Sequence, residues 1–169
     1  MKTRDAGKHE SRWTIRKFSD DAAYRAWLAA GQPALPAEQV DEIDGNLLLN
    51  EGIALLLDLG IGAGGTTFAN ANAYLGVGDS STAAGATQTG LQATTNKLYK
   101  AMEAGYPQRA SQTVTWRSVF GESEANWAWG EFTVANGNSD SAVNLNRKVE
   151  SKGTKSGGTW TLDLAITIS

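Results

Sequence analysis

The stretch Thr159-Trp-Thr-Leu-Asp-Leu-Ala-Ile-Thr-Ile-Ser169 carries the clearest strand pattern in this chain. Apolar residues recur at every second position, at Trp160, Leu162, Leu164, Ile166 and Ile168. Because successive side chains of a strand point to opposite faces, this spacing predicts one apolar wall about 35 Å long. Chain ends are usually frayed unless a sheet holds them. We therefore predict an inner strand that completes a sheet formed by the preceding segments.

Several shorter β-type segments precede this strand, with turn residues between them. They are 73–78, 98–104, 113–120, 127–135 and 143–152. Short strands separated by turns, without long intervening helices, indicate an antiparallel sandwich or barrel. The predicted fold is mainly β: an antiparallel β-sandwich with one buried helix, at about residues 46–59, and an extended N-terminal arm that carries a short helix.

The predicted buried helix is the most apolar segment of the chain. Its apolar residues are Leu47, Leu48, Leu49, Ile53, Leu55, Leu56, Leu57 and Leu59. They lie nearly all round a helical projection, which is typical of a helix without a solvent-facing side. Asn46 is a suitable N-cap, and Gly60 and Gly62 a suitable end.

The chain before this helix differs in character and predicts a separate region. Residues 1–44 are expected to form the arm, with a strand over 13–18, a short helix capped by Ser19 or Asp20, and a linker containing Pro33 and Pro36. Residues 45–169 are expected to form the sandwich body.

Residues 1–17 hold six basic and two acidic residues, whereas the whole chain has a formal net charge of -3. A basic arm on an acidic body suggests docking onto an acidic partner, although a solvated tail fits the same charges. The arm hypothesis predicts that a chain lacking residues 1–18 still folds.

The amino-acid composition limits the kinds of catalytic site, metal site and membrane segment that this chain can form. The chain has no Cys and a single His, His9, so neither a multi-His metal site nor a Ser-His-Asp triad is expected. No apolar run approaches the ~20 residues of a membrane helix. We expect no enzyme activity, no metal and no cofactor.

Three motifs favour turns over ligand sites. The glycines from 60 to 65 match a dinucleotide fingerprint in letters, but a helix precedes them where a strand is required. Residues 76–82 could offer oxygen ligands, yet their spacing is not that of a calcium loop. Glu122, Glu124 and Glu131 could supply a glycosidase carboxylate pair, but the first two flank a predicted hairpin loop, where solvated charges are expected.

Six Trp residues offer material for a core or for stacking on ligands. Trp116 and Trp160 lie on apolar strand faces and are expected in the core. Trp127 and Trp129 share one face of the predicted strand 127–135, so either core packing or stacking on a sugar fits them.

Blocks within residues 44–169 resemble a family of small virion proteins of tailed bacteriophages. They are Asn46-Leu-Leu-Leu-Asn-Glu-Gly-Ile53, Asn70-Ala-Asn-Ala-Tyr-Leu-Gly-Val-Gly-Asp-Ser80, Glu124-Ala-Asn-Trp-Ala-Trp-Gly-Glu-Phe132, Leu145-Asn-Arg-Lys-Val149 and the closing Gly-Thr-Trp-Thr-Leu strand. Members of the family are commonly described as tail-fibre or minor structural proteins, and no catalytic motif comes with the resemblance.

The resemblance implies a virion structural protein located on the capsid surface or in the tail. A capsid decoration or cement protein is the first expectation, bound to the major capsid protein and to copies of itself as a homo-oligomer. The alternatives are a tail, tail-fibre or baseplate component, and a carbohydrate- or receptor-binding module. Nucleic acid and membrane are not expected partners.

The residues expected to contact the partner are Lys2, Arg4, Lys8, Arg12, Trp13, Arg16 and Trp27, and those expected to stack on a ligand are Trp127 and Trp129.

Overall fold

The computed structural model describes residues 8–169 as two antiparallel five-stranded sheets with two α-helices. In chain order the elements are β1 (His9–Phe18), α1 (Asp21–Ala29), a 3-10 turn (Ala37–Gln39), β2 (Val40–Asp44), β3 (Leu47–Leu48), α2 (Asn50–Ile61), β4 (Tyr74–Gly78), β5 (Lys97–Ala101), β6 (Gln108–Ala110), β7 (Thr113–Phe120), β8 (Glu131–Ala135), β9 (Asn146–Val149) and β10 (Thr159–Ile168). The mainly β, antiparallel sandwich predicted from the sequence is confirmed.

The closing strand β10 is the centre of the first sheet, whose order is β2-β1-β10-β7-β6. It pairs along its whole length with β1 on one side, and from Trp160 to Thr167 with β7 on the other. Leu164 stands opposite Trp13 in one ladder and opposite Trp116 in the other. The prediction of an inner strand at the chain end is therefore confirmed.

The core lies between this sheet and the second, whose order is β3-β9-β8-β4-β5. The apolar wall of β10 faces it, with Trp160, Leu162, Leu164 and Ile166 all buried. Aromatic rings join the two sheets, since the Trp13 and Phe132 ring centroids are 5.8 Å apart. This central cluster supplies most of the buried apolar surface and fixes the positions of the outer elements.

A second, smaller cluster covers the opposite face of the first sheet. The N-cap Asp20 accepts a hydrogen bond from Ala23 N at 2.7 Å and starts α1, as predicted. Tyr24 and Trp27 of α1 then pack on Phe18 of β1. The short helix is thereby held on the sheet.

The expected separation of an arm over residues 1–44 from a body over 45–169 does not hold for residues 8–44. β1 lies between β2 and β10, and its alternating Trp13 and Ile15 are fully buried in the core. A strand with core residues on one face gains more by joining the sheet than by extending into solvent. Residues 1–7 lie outside the described part of the chain.

The expectation of a buried helix over 46–59 also needs correction. α2 begins at Asn50, its N-cap is Leu49 instead of Asn46, and Asn46 and Leu47 lead into a short strand. In this helix only Gly52 and Leu55 are buried. The sandwich is already filled by its own side chains, so α2 packs at the margin of the core and leaves most of its apolar surface in solvent.

Candidate interaction surface

Helix α2 is fixed to the sandwich at its N-terminal end. Leu49 N donates to Leu145 O at 3.0 Å, and Asn144 N donates to the Glu51 carboxylate at 2.7 Å. Gly52 lies so close to Leu145 that a Cβ on Gly52 would stand 2.5 Å from Leu145 Cα. The helix ends at Gly62, which adopts the left-handed conformation. A rigid attachment therefore presents the outer face of α2 in one orientation.

This outer face is apolar and solvent-exposed. Ile53 is 40%, Leu56 41%, Leu57 64% and Ile61 81% exposed. Gly60 lies among them with open space where a side chain would be. A surface helix normally turns polar residues to solvent. Contiguous apolar patches on a soluble protein indicate a surface that another molecule covers.

An apolar groove of about 300 Å³ runs beside α2. Leu56 and Leu59 of the helix form one wall, and the ends of β7 and β10 contribute Trp116, Ile166 and Ile168. Ile168 is 62% exposed at the rim. We call the outer face of α2 together with this groove the α2 face. Among the described residues, it holds five of the six large hydrophobic side chains that are exposed, all except Leu47.

The basic residues predicted to contact a partner are distributed differently. Lys8, directly before β1, and Arg12, within β1, are both exposed. Arg12 pairs with Asp44 at 3.1 Å and with Glu42 at 3.8 Å. These exposed ion pairs contribute little to stability and leave the side chains accessible. Lys2 and Arg4 belong to residues 1–7, outside the described range.

Arg16 and Trp27 belong to a buried charge cluster on the outer face of the first sheet. Asp163 accepts from Arg16 at 2.8 Å and from Arg117 in a two-point contact at 2.8 and 2.7 Å. The Trp27 ring covers both guanidinium groups at 5.6 Å. Burial disfavours the charged form of Arg117, but the hydrogen bonds to Asp163 outweigh it and raise the pKa of Arg117 above its ordinary value. Both predicted partner-binding residues therefore act in holding α1 on the sheet.

The predicted Trp contacts are corrected in the same way. Trp13 is fully buried in the core and cannot reach a partner. Trp129 is also fully buried, packed edge-on against Phe120 and Trp160 at centroid distances of 4.9 and 5.0 Å. Trp127 is half-buried against the same cluster. Of the two alternatives open for this pair, core packing is the one confirmed for Trp129, whose fully buried ring cannot stack on a ligand.

Glu124 and Glu131, which were considered for catalysis, instead form hydrogen bonds and ion pairs that hold loops and the core in place. Burial disfavours ionisation of Glu124, but Lys100 and the Gly121 N–H outweigh it and lower the pKa of Glu124. Glu131 is fully buried and pairs with Arg147 at 2.6 Å. Its carboxylate also accepts from Gln92 N and Ala93 N, at 2.9 and 2.7 Å, and so fastens the loop between β4 and β5.

Sequence reasoning missed the α2 face as a site, although the signal was present. A helix that is apolar nearly all round leaves an apolar face in solvent when only one of its sides packs on the core. The all-round apolar pattern predicts burial, and it does not distinguish burial within one chain from burial between chains.

Comparison of the chain with protein-family models, curated proteins and solved structures found no match. Within residues 8–169, neither helix is long and apolar enough to cross a membrane. The same residues contain no group of three or more His, Asp or Glu side chains placed to hold a metal ion.

Proposed function

We propose that this chain is a structural protein of a tailed-bacteriophage virion, and that it acts as a capsid decoration or cement protein. The observation that carries the proposal is the α2 face, a rigidly held apolar surface on an otherwise well-filled sandwich. The sequence blocks that resemble phage virion proteins supply the context. A decoration protein needs a stable body and a surface that binds neighbouring subunits, and both requirements fit this architecture.

The stable body comes from the closed pairing of the two chain ends. Lys8 N donates to Ser169 O at 2.6 Å, and Ser169 N donates back to Lys8 O at 2.9 Å. The first and last strands thus protect each other from fraying. A particle component benefits from such an arrangement because exposed, frayed strand edges invite uncontrolled association.

Binding to the shell is proposed to use the basic end of β1. Lys8 and Arg12 are the exposed basic residues there, and Lys2 and Arg4 precede them in the sequence. Arg16, Trp13 and Trp27 are left out of the proposed contact because the fold uses them. Several weak ionic contacts repeated over many symmetric copies give strong overall attachment.

The test is to locate and count the protein in purified particles. Quantitative mass spectrometry gives its copy number relative to the major capsid protein, and labelling combined with electron microscopy gives its position. Many copies over the shell are the expected result. A few copies at the tail would instead establish the tail, tail-fibre or baseplate alternative, and absence from washed particles would contradict a virion role altogether.

Charge-reversal variants test the proposed shell contact separately. Lys8→Glu with Arg12→Glu should lower the copy number on particles, while Arg109→Glu, an exposed basic residue on β6 at the opposite edge of the same sheet, serves as the matched control. Equal loss in both variants would indicate a general charge effect and would contradict docking through the basic end of β1.

A further inference from the structure

One row of large side chains dominates the outer face of α2. Ile53, Leu57 and Ile61 are four residues apart, so they lie one above the next along the helix. The neighbouring row contains Leu56 and Gly60, and the missing side chain of Gly60 opens a gap beside the ridge. The face thus carries a ridge of large side chains with open space beside it.

We propose that a second copy of this chain covers the α2 face, with the two α2 helices packed antiparallel across a twofold axis at Leu57. This inference deepens the proposed function and rests on it for the idea that the face is covered in the assembled state. It names the partner at that face, which is another copy, and leaves the basic end of β1 for other subunits.

The ridge is self-complementary about its centre. An antiparallel pair with Leu57 on the axis places Ile53 of one copy against Ile61 of the other, and each Leu57 against its counterpart. Twofold contacts require this reciprocity, in which residue i meets j and j meets i. At the common helix crossing of about -50°, the rows of residues spaced by four on the two helices run parallel to each other, so Ile53 of one copy can meet Ile61 of the other.

Charge does not oppose this pairing. α2 carries two acidic residues, Glu51 and Asp58, and no basic residue. Glu51 is engaged by the backbone of Asn144. Asp58 follows Leu57 by one position, so it lies about 100° away round the helix and outside the ridge contact. In an antiparallel pair, the positive end of each helix dipole also approaches the negative end of the other.

The groove beside α2 enlarges the contact. A stable interface covers about 800 Å² on each partner, more than one three-turn helix face supplies. The groove lined by Leu56, Leu59, Trp116 and Ile168 continues the apolar surface directly from the ridge. Its exposed rim residue Ile168 would meet the partner as the helices close.

Cysteine cross-linking tests the geometry directly, because the chain has no Cys of its own. Leu57→Cys should form a disulfide-linked dimer under mild oxidation, since the axis brings the two positions together. Ile53→Cys and Ile61→Cys should cross-link poorly alone and well when mixed. Leu47→Cys, at an exposed apolar residue of β3 outside the ridge, is the matched control and should remain monomeric.

Sedimentation of the unmodified protein gives the second measurement. The 17.9 kDa chain should sediment at twice its mass, and Leu57→Asp should halve that value while its circular dichroism stays unchanged. Monomeric wild-type protein over the whole concentration range, or Leu57→Cys cross-linking no better than the Leu47→Cys control, overturns the inference. Strong self-cross-linking at Ile53→Cys with none at Leu57→Cys overturns the antiparallel arrangement.

The two proposals fail in different experiments. A monomer in solution that is still found on particles overturns the twofold pair and leaves the virion role intact. A protein that is dimeric in solution but absent from particles overturns the virion role and leaves the twofold pair intact.

Discussion

At the scale of residues, the molecule depends on charges that lie inside it. Glu131 and Arg147 are fully buried and form an ion pair, and Arg147 also donates to Gln88 at 3.0 Å. A buried pair of this kind contributes modestly as a unit, but the loss of one partner leaves an uncompensated charge in the core. This is where the sandwich is most sensitive to a single polar substitution.

Arg147→Met should therefore lower the free energy of unfolding by about 3–5 kcal/mol. The reason is that Glu131 stays buried with only two backbone N–H donors. Urea denaturation measures the change. Arg12→Met removes an ion pair whose arginine side chain is 57% exposed, and it should cost less than about 1 kcal/mol. Similar losses in both variants would contradict the special position of the buried pair.

Sequence reasoning could not find this pair because alternation alone does not tell which faces are enclosed. Arg147 lies two positions from both Leu145 and Val149 and so shares their strand face, but this spacing does not tell whether that face is open to solvent at Arg147. Only the second sheet, with β9 beside β8, shows that the position is enclosed. For Trp129 the pattern left core packing and ligand stacking open, and the structure places it in the core.

At the scale of elements, strong periodicity determined what could be predicted. β7 was predicted at its observed bounds, and β10 and α1 within a residue or two, since each has a long pattern or a defined cap. β3 and β6 have two and three residues, too few to show any period, and they were missed. α2 was predicted as a helix, but its exposure was not, because exposure depends on how completely other residues fill the core.

The attachment of α2 depends on Gly52. Gly52→Ala should destabilise the protein by about 1–3 kcal/mol, because the added methyl group would meet the backbone of Leu145 at 2.5–2.8 Å. The measurement is the urea midpoint at one fixed protein concentration, since self-association also contributes to stability. Gly121→Ala, outside the α2 face, is the control. A Cβ at Gly121 would meet no atom closer than 3.6 Å, so stability should stay close to that of the wild type. A Gly52→Ala protein as stable as wild type would show that α2 is not held at this point.

At the scale of the whole molecule, the chain closes on itself. The first described strand pairs with the last, and His9 stands opposite Ile168. Such a long-range pairing follows no local rule, so one sequence indicates that strands exist without giving their order. The basic charge of the N-terminal residues favoured an arm, whereas the apolar alternation of Trp13 and Ile15 placed β1 in the sheet. Packing outweighs charge here because two fully buried large side chains contribute more than exposed ion pairs.

This closure reverses the expectation that a chain lacking residues 1–18 still folds. The deletion removes β1, which leaves β10 and β2 without their shared partner and exposes the core beside Leu164. We expect the truncated chain to lose its β-sheet circular dichroism and to be digested rapidly by protease. Deletion of residues 1–7 removes no residue of β1, and that chain should keep the wild-type spectrum and protease resistance. Both deletions remove Lys2 and Arg4, whereas only the longer one removes β1 and its own basic residues, so the comparison separates the first two charges from the strand. A folded, protease-resistant chain starting at residue 19 would show that β10 does not need β1, and would restore the N-terminal segment as a dispensable arm.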